Sequence, residues 1–274
     1  MSQFVKYSVG VIQVAEYRKE TKSVFGLQLS LQNLETLADR LTQESPALDG
    51  EAHLVFTLNL DHVVQLARKN AAFRTAYNRA QTITADGMPV YRYAQFRGVP
   101  LPSRVPGADL LPALIDRLAP ERHRPFFVTS DLETASRIKS LLMERGFDAS
   151  AVDTIVPPFG FESDEVYSHE LAQRIRAHGT THLIFGVGAP KSEIWLDRHR
   201  ATIGPCYALS LGSSTNFLVG TAKRAPRWMR DAGCEWFWRF YCEPRRLFRR
   251  YFIDSWQFLR AIREDLVMGT RSEV

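Results

Sequence analysis

Six short apolar runs, rich in branched and aromatic side chains, recur at 53–57, 82–85, 125–129, 152–156, 182–185 and 207–211, each bounded by Gly, Pro or polar residues. Their length and composition are those of strands. Amphipathic stretches over 61–70, 109–119, 133–145, 164–177 and 191–200 lie between them, and Ser130 with Asp131 and Ser163 with Asp164 supply N-cap residues ahead of two of these. A helix long enough to recross the sheet sets the next strand parallel to the last. The expected fold is therefore α/β: a Rossmann-like, mostly parallel sheet with helices on both faces. Ligands of such sheets bind beyond the carboxyl ends of the strands, so the loops after each run are where chemistry is to be sought.

This pattern stops near Gly220, where KRAPRW (223–228) leads into a segment of different character. Segment 221–266 holds eleven Lys and Arg against six acids, an excess equal to the net charge of the whole chain, +5. Trp228, Trp236, Trp238 and Trp256 lie in it too, among Phe237, Phe240, Tyr241, Phe248, Tyr251, Phe252 and Phe258. Indole and guanidinium groups settle where anionic headgroups meet hydrocarbon. The chain thus divides into an α/β domain, 1–220, and a basic, aromatic, helical appendage, 221–274, expected to face a membrane or a lipid-linked phosphate. Pro244 is expected to separate two short helices. A helix starting there would align Phe248, Tyr251, Phe252, Ser255, Trp256 and Leu259, with Arg246, Arg249 and Arg250 as close neighbours.

At 274 residues and 45% hydrophobic content the chain can bury one sizeable core and carry an appendage. The first 26 residues mix Lys, Glu, Gln and Arg among apolar residues, so no secretory leader is expected, and no window approaches the roughly 20 apolar residues of a membrane span. Cys206, Cys234 and Cys242 are odd in number without CxxC spacing, which fits reduced thiols rather than disulfides or a structural zinc. A cytoplasmic protein, soluble or peripheral on a membrane, is the expectation.

Four loops carry candidate chemistry. In TADGMP (84–89), Asp86 stands just past a short strand. It either caps the next helix or sits at the mouth of the sheet, where partial burial would raise its pKa and suit it to act as a base. In TLNLDH (57–62), Thr57 and Asn59 alternate onto one side and reach the same crevice, Asp61 reads as a helix cap and His62 as a structural histidine. FGVGAPK (185–191) ends the most apolar run; Gly186 and Gly188 would let backbone amides approach a phosphate, or would simply make a tight turn. The third glycine of GxGxxG is missing. In RVPGAD (104–109), Arg104 is either a solvated charge or a bidentate diphosphate ligand, and Asp109 reads as an N-cap. No Asp-x-Asp, GxxxxGK(S/T), HExxH or GxSxG appears, so metal, P-loop and serine-hydrolase chemistry have no support.

TLNLDH, ADGMPV, RVPGADL, GVGAPKSE, KRAPRW, EWFWR and EPRRLFRR occur in the order and approximate spacing of the WecG/TagA/CpsF glycosyltransferases, and the chain resembles that family from about residue 24 to residue 253. The resemblance implies transfer of a sugar from a UDP-sugar to a sugar already attached to a polyprenyl diphosphate, in cell-surface polysaccharide or exopolysaccharide biosynthesis. It implies inversion of the anomeric centre with no metal or other cofactor. Asp86 would be the base, with Thr57, Asn59 and Arg104 binding substrate and Gly186, Gly188, Pro190, Lys191, Ser192, Glu193 and Asn216 completing the pocket. Arg239, Arg246 and Arg249 would grip the lipid diphosphate at the inner face of the cell membrane.

Two positions depart from the family pattern. Ser192 stands where Pro-Lys-Gln-Glu usually has its amide, and Asn216 where Gly-Gly-x-Phe-Asp has its carboxylate. Two altered polar contacts in one pocket imply a changed donor sugar. A weakened enzyme is the other explanation, against which stand Asp86, Arg104 and the tail arginines. The rival readings are an NAD-dependent oxidoreductase using the GxG turn, and a nucleic-acid-binding protein using the basic aromatic tail; no nucleic acid is expected as a partner under the preferred reading.

Overall fold

The computed structural model describes residues 23–46, 50–242, 244–248 and 256–271. Helix α1 (Leu34–Gln43) precedes β1 (His53–Leu58), which leads through α2 (Leu60–Ala67) and α3 (Ala71–Arg79) to β2 (Thr82–Ala85). Helices α4 (Met88–Phe96) and α5 (Gly107–Ile115) lead to β3 (Pro125–Val128), α6 (Leu132–Glu144) to β4 (Asp153–Ile155), α7 (Glu165–Ala177) to β5 (His182–Phe185), and α8 (Lys191–Ile203) to β6 (Tyr207–Ser210). All six strands pair in parallel in the order β2-β1-β6-β5-β3-β4. The α/β architecture is the one expected, with α1 and α3 added to the helices read from the sequence.

Strands β1, β2, β3, β5 and β6 are buried at every position but His53, because both faces of the sheet are covered. Successive side chains point to opposite faces. Leu54 and Phe56 of β1, Phe126 and Val128 of β3, and Leu183 and Phe185 of β5 enter one buried cluster with Phe73, Tyr77 and Trp195. Val55, Phe127, Ile184 and Leu209 enter the other, with Leu37, Leu41, Leu110 and Leu111. Each fully buried phenylalanine among them contributes about 2 kcal/mol through the area it removes from water.

Side chains cap α6 and α7 as expected: Asp131 accepts from the N–H of Thr134 at 2.7 Å and Asp164 from that of Tyr167 at 3.0 Å. Three cap assignments are corrected. Asn59, not Asp61, caps α2; its backbone is extended and its Oδ1 accepts from His62 N–H at 3.2 Å, whereas Asp61 is already helical and too late to do so. Helix α5 is entered at Pro106, so Asp109 lies inside its first turn. Gly87 occupies the N-cap position of α4 without a side-chain cap, which removes capping as a role for Asp86.

Beyond β6 come α9 (Ser214–Leu218), α10 (Arg227–Asp231), α11 (Glu235–Cys242), α12 (Pro244–Phe248) and α13 (Trp256–Arg271). Pro244 opens α12, as expected; Tyr251, Phe252, Ser255 and Arg250 of the anticipated stripe lie outside the described residues. Helix α13 returns to the core. Phe258 and Ala261 join the cluster of Phe25 and Tyr93, and the buried Asp265 accepts from Tyr93 Oη at 2.8 Å while pairing with Arg97. No described helix is long and apolar enough to cross a membrane.

Candidate active site

The connections leaving β3 and β5 run in opposite directions, to β4 and to β6, so a crevice opens between their carboxyl ends. A cavity of about 1030 Å³ extends from it across the ends of β1, β2, β5 and β6. One wall is built by the loops of the sheet and the other by the segment that follows β6.

On the sheet wall, Thr57, Asn59 and Asp86 line the cavity together. Asp86 is fixed through its backbone, whose N–H donates to Leu58 O at 3.0 Å and so continues the β1–β2 ladder past the end of β2. Asn59 spends its Oδ1 on capping α2, which aims the amide from a helix end. A Cβ placed on Gly87 would lie 3.7 Å from the Asn59 Cβ, so the two loops are in van der Waals contact. Their three polar side chains therefore share one face for a structural reason: adjacent parallel strands end in register, with Leu58 opposite Ala85.

The turn after β5 is shaped by packing. A Cβ on Gly186 would come within 2.5 Å of Thr215 Oγ1, and Gly188 has φ of 88°, the left-handed region that glycine enters without strain. Ser192 is buried and donates its hydroxyl to Gly188 O at 2.9 Å, while Lys191 Nζ stands 5.9 Å from the centre of the Phe161 ring. Pro190, Lys191 and Ser192 thus shape the turn behind the cavity, whereas Gly186, Gly188 and Glu193 line it. Glu193 is buried; its Oε1 accepts from Ser210 Oγ at 2.8 Å and lies 3.9 Å from His62 Nε2. His62 Nδ1 is 2.6 Å from Tyr77 Oη. Burial, and then the Glu193, Asp86 and Asp61 carboxylates, push the Tyr77 phenol well above its ordinary pKa, so it keeps its proton.

The loop carrying Arg104 is pinned to the end of β2. Thr84 Oγ1 donates to Val105 O at 2.8 Å and Val105 N–H to Ala85 O at 2.9 Å. Arg104 lines the cavity and donates from Nη2 to Arg230 O at 2.9 Å. Asp109, one turn further on, receives Arg224 Nη1 at 2.6 Å and Arg230 Nη1 at 3.4 Å. These bonds clasp the connecting segment onto α5. Lys223, Gly233, Glu235, Trp236 and Trp238 then form the second wall of the cavity. Gly233, with φ of 74°, brings that wall against Met88 at the start of α4.

The sequence matches the glycosyl transferase WecG/TagA/CpsF family over residues 22–272. The chain belongs to the WecG/TagA/CpsF family. It is similar to the N-acetylglucosaminyldiphosphoundecaprenol N-acetyl-beta-D-mannosaminyltransferase of Bacillus spizizenii, 26% identical over 194 residues that cover 69% of this chain and 72% of that protein. The protein of the same name from Staphylococcus aureus (strain NCTC 8325 / PS 47) is 24% identical over 191 residues, 68% of this chain and 71% of its own length. The match decides between the transferase reading and its oxidoreductase and nucleic-acid rivals: this protein is a glycosyltransferase.

Within this glycosyltransferase, Thr57, Asn59, Asp86, Arg104, Gly186, Gly188, Glu193 and Asn216 meet on one cavity. Asn216, the residue that departs from the family's carboxylate, donates from Nδ2 to Asp131 Oδ2 and to Thr134 Oγ1, both at 3.0 Å. Burial alone would raise the Asp131 carboxyl, but hydrogen bonds from Thr134, Ser130 and Asn216 together hold it below the usual carboxylate value. Arg249 and the side chains of Arg239 and Arg246 lie outside the described residues. Sequence reasoning set His62 aside and passed over Tyr77 and Ser210. The TLNLDH motif held the signal for His62, since an Asn59 cap puts it in the first turn of a helix that starts at the cavity. Among the described residues no three His, Cys, Asp or Glu side chains are grouped to hold a metal.

Proposed function

We propose that this glycosyltransferase moves a sugar from a UDP-sugar to a sugar carried on a polyprenyl diphosphate, with inversion and without a metal. The relatives' names support an N-acetylglucosamine on undecaprenyl diphosphate as the acceptor. The observation that carries the reading is Asp86, fixed by the sheet ladder beside Thr57 and Asn59 on a cavity large enough for a nucleotide sugar and an acceptor sugar. Asp86 takes the proton of the acceptor hydroxyl as its oxygen bonds to the anomeric carbon. The bond from that carbon to the β-phosphate oxygen breaks on the opposite side, and UDP leaves with the electron pair.

Charge developing on UDP needs preorganised positive groups. Arg104 is one. The others are helix N-termini: α4 and α5 begin at the cavity with no side-chain cap, whereas α2, which also begins there, is capped by Asn59. Their first N–H groups and dipole ends suit a diphosphate. Asn216, which lines the cavity and donates to Asp131, supports a donor sugar different from that of proteins with Asp there. Attachment to the cytoplasmic leaflet is supported by Trp228, Phe237, Tyr241, Phe248 and Trp256, exposed on the appendage among its arginines.

A thermal-shift panel of UDP, UDP-glucose, UDP-N-acetylmannosamine, UDP-glucuronate, GDP-mannose and NAD tests the donor class, because only ligands of the native state raise the transition. UDP and one UDP-sugar should stabilise the protein selectively, and transfer to a lipid-diphosphate acceptor should persist in EDTA. Stabilisation by NAD or GDP-mannose alone would overturn the reading.

A further inference from the structure

Helix α11 serves two environments. Glu235, Trp238 and Cys242, at i, i+3 and i+7, line the cavity and share one side of the helix. Phe237 and Tyr241, a turn apart, stay out of the lining and are 52% and 75% exposed. Trp238 is the half-buried aromatic of the cavity stripe. Its one polar atom, Nε1, donates to Lys223 O at 3.3 Å, a bond made inside the same wall, and the Tyr241 ring lies beside it with centres 6.5 Å apart. With that N–H used, the indole offers the cavity carbon and a π face rather than a hydrogen-bonding group. The facing wall is polar, since Thr57, Asn59 and Asp86 line it. Gly233 packs against Met88, which sets the start of α11 beside the loop that carries Asp86.

We infer that Trp238 is an acceptor-binding residue whose indole stacks on the C–H face of the acceptor's sugar ring. This rests on the transfer proposed above. A pyranose with equatorial hydroxyls carries axial C–H bonds on its flat faces, and these are apolar and weakly positive, the complement of a negative π face. Its hydroxyls then lie at the ring edge, free for the polar wall. Uracil also has a face that stacks on indole. The acceptor is the better match, because it is borne on lipid and enters along the wall with the exposed aromatics. The uncapped ends of α4 and α5, which suit the nucleotide's diphosphate, belong to the other wall.

Trp238→Ala and Trp238→Phe test it in the full chain, with a short-chain, water-soluble lipid bearing N-acetylglucosaminyl diphosphate as acceptor, so that membrane binding does not enter the measurement. Trp238→Ala should raise KM for this acceptor roughly tenfold, the loss of one aromatic stacking contact, with kcat and the KM for the UDP-sugar within about twofold. Phe keeps a π face but has no N–H, so Trp238→Phe should recover most of the acceptor affinity. A role confined to bonding Lys223 O would show no such rescue, and equal losses in the two variants would overturn the inference. So would an acceptor KM in Trp238→Ala indistinguishable from that of the wild type. Calorimetric titration with UDP separates the two kinds of ring: weaker UDP binding beside an unchanged acceptor KM would put uracil on Trp238 in place of the sugar. Absence of transfer by the wild-type protein from every UDP-sugar in the panel would overturn the proposed transfer itself, and this inference with it.

Discussion

The two walls of the cavity are held by different forces. The wall carrying Thr57, Asn59 and Asp86 hangs from parallel strands whose ladder continues into the loop at Asp86, over a core in which Phe56 and Tyr77 are fully buried. The wall carrying Lys223, Trp236 and Trp238 is attached through side chains: Asp109 to Arg224 and Arg230, and Arg104 to Arg230 O. Opening the first wall means breaking the sheet, and opening the second means parting a few partly exposed ion pairs, each worth little singly. A transferase with a lipid-borne acceptor gains from this division. Under the proposed function, Thr57, Asn59 and Asp86 would stay in place while the wall bearing the exposed aromatics yields to the acceptor.

Substitutions on each side sharpen that contrast. The largest effect is expected from Asp86→Ala, which should lower transfer by roughly 10²- to 10⁴-fold with UDP affinity and melting temperature almost unchanged, since the loop is fixed by backbone bonds. Turnover near wild type would remove Asp86 as the base. Next comes Asp109→Asn, which should accelerate tryptic cleavage at Arg224, Arg227 or Arg230 several-fold and raise KM for the lipid acceptor by a similar factor, with a smaller change in global melting. Equal protease resistance in the two proteins would mean that the clasp does not hold the second wall.

The smallest effect belongs to Asn216→Asp, which restores the family's carboxylate but sets it against Asp131. At neutral pH two facing carboxylates replace a hydrogen bond, so the melting temperature should fall by a few degrees. The sign with pH follows from linkage. In the wild-type protein Asp131 has a depressed pKa, so its contribution is present above the unfolded value near 4 and is lost as pH falls through the folded value. The variant pair has a raised pKa, so its deficit should shrink as the pH drops toward 4. A deficit independent of pH would assign the loss to packing.

Much of the fold was legible because its determinants are local. Mostly apolar strand runs such as 125–128 and 182–185 already imply two covered faces, and Asp131 and Asp164 announced helix starts that their own short side chains then make. The misplaced caps show where local reading ends. Asp61 and Asp109 are good cap residues by type, but the chain turns helical earlier, at Asn59 and Pro106, once β1 has ended and Val105 has bonded to Ala85 O. Cavity-lining residues carried on motifs, such as Asp86 and Arg104, were readable. Their partners were not: nothing near Glu193 in the chain names Ser210, 17 residues away, and nothing near Arg104 names Arg230, 126 residues away.

The amino-acid sequence by itself determined the strand and helix pattern, the parallel sheet that follows from it, the family, and the change in charge and aromatic content after residue 220. Periodicity, turn chemistry and charge act over a few residues and need no other part of the chain. Tertiary structure alone decided that the appendage would close the cavity, that Ser192 would turn behind the wall while Glu193 lines it, and that Asn216 would bind Asp131. Those outcomes depend on which distant groups the order β2-β1-β6-β5-β3-β4 brings within hydrogen-bonding distance, and a bond effective only near 3 Å cannot be read before that order exists.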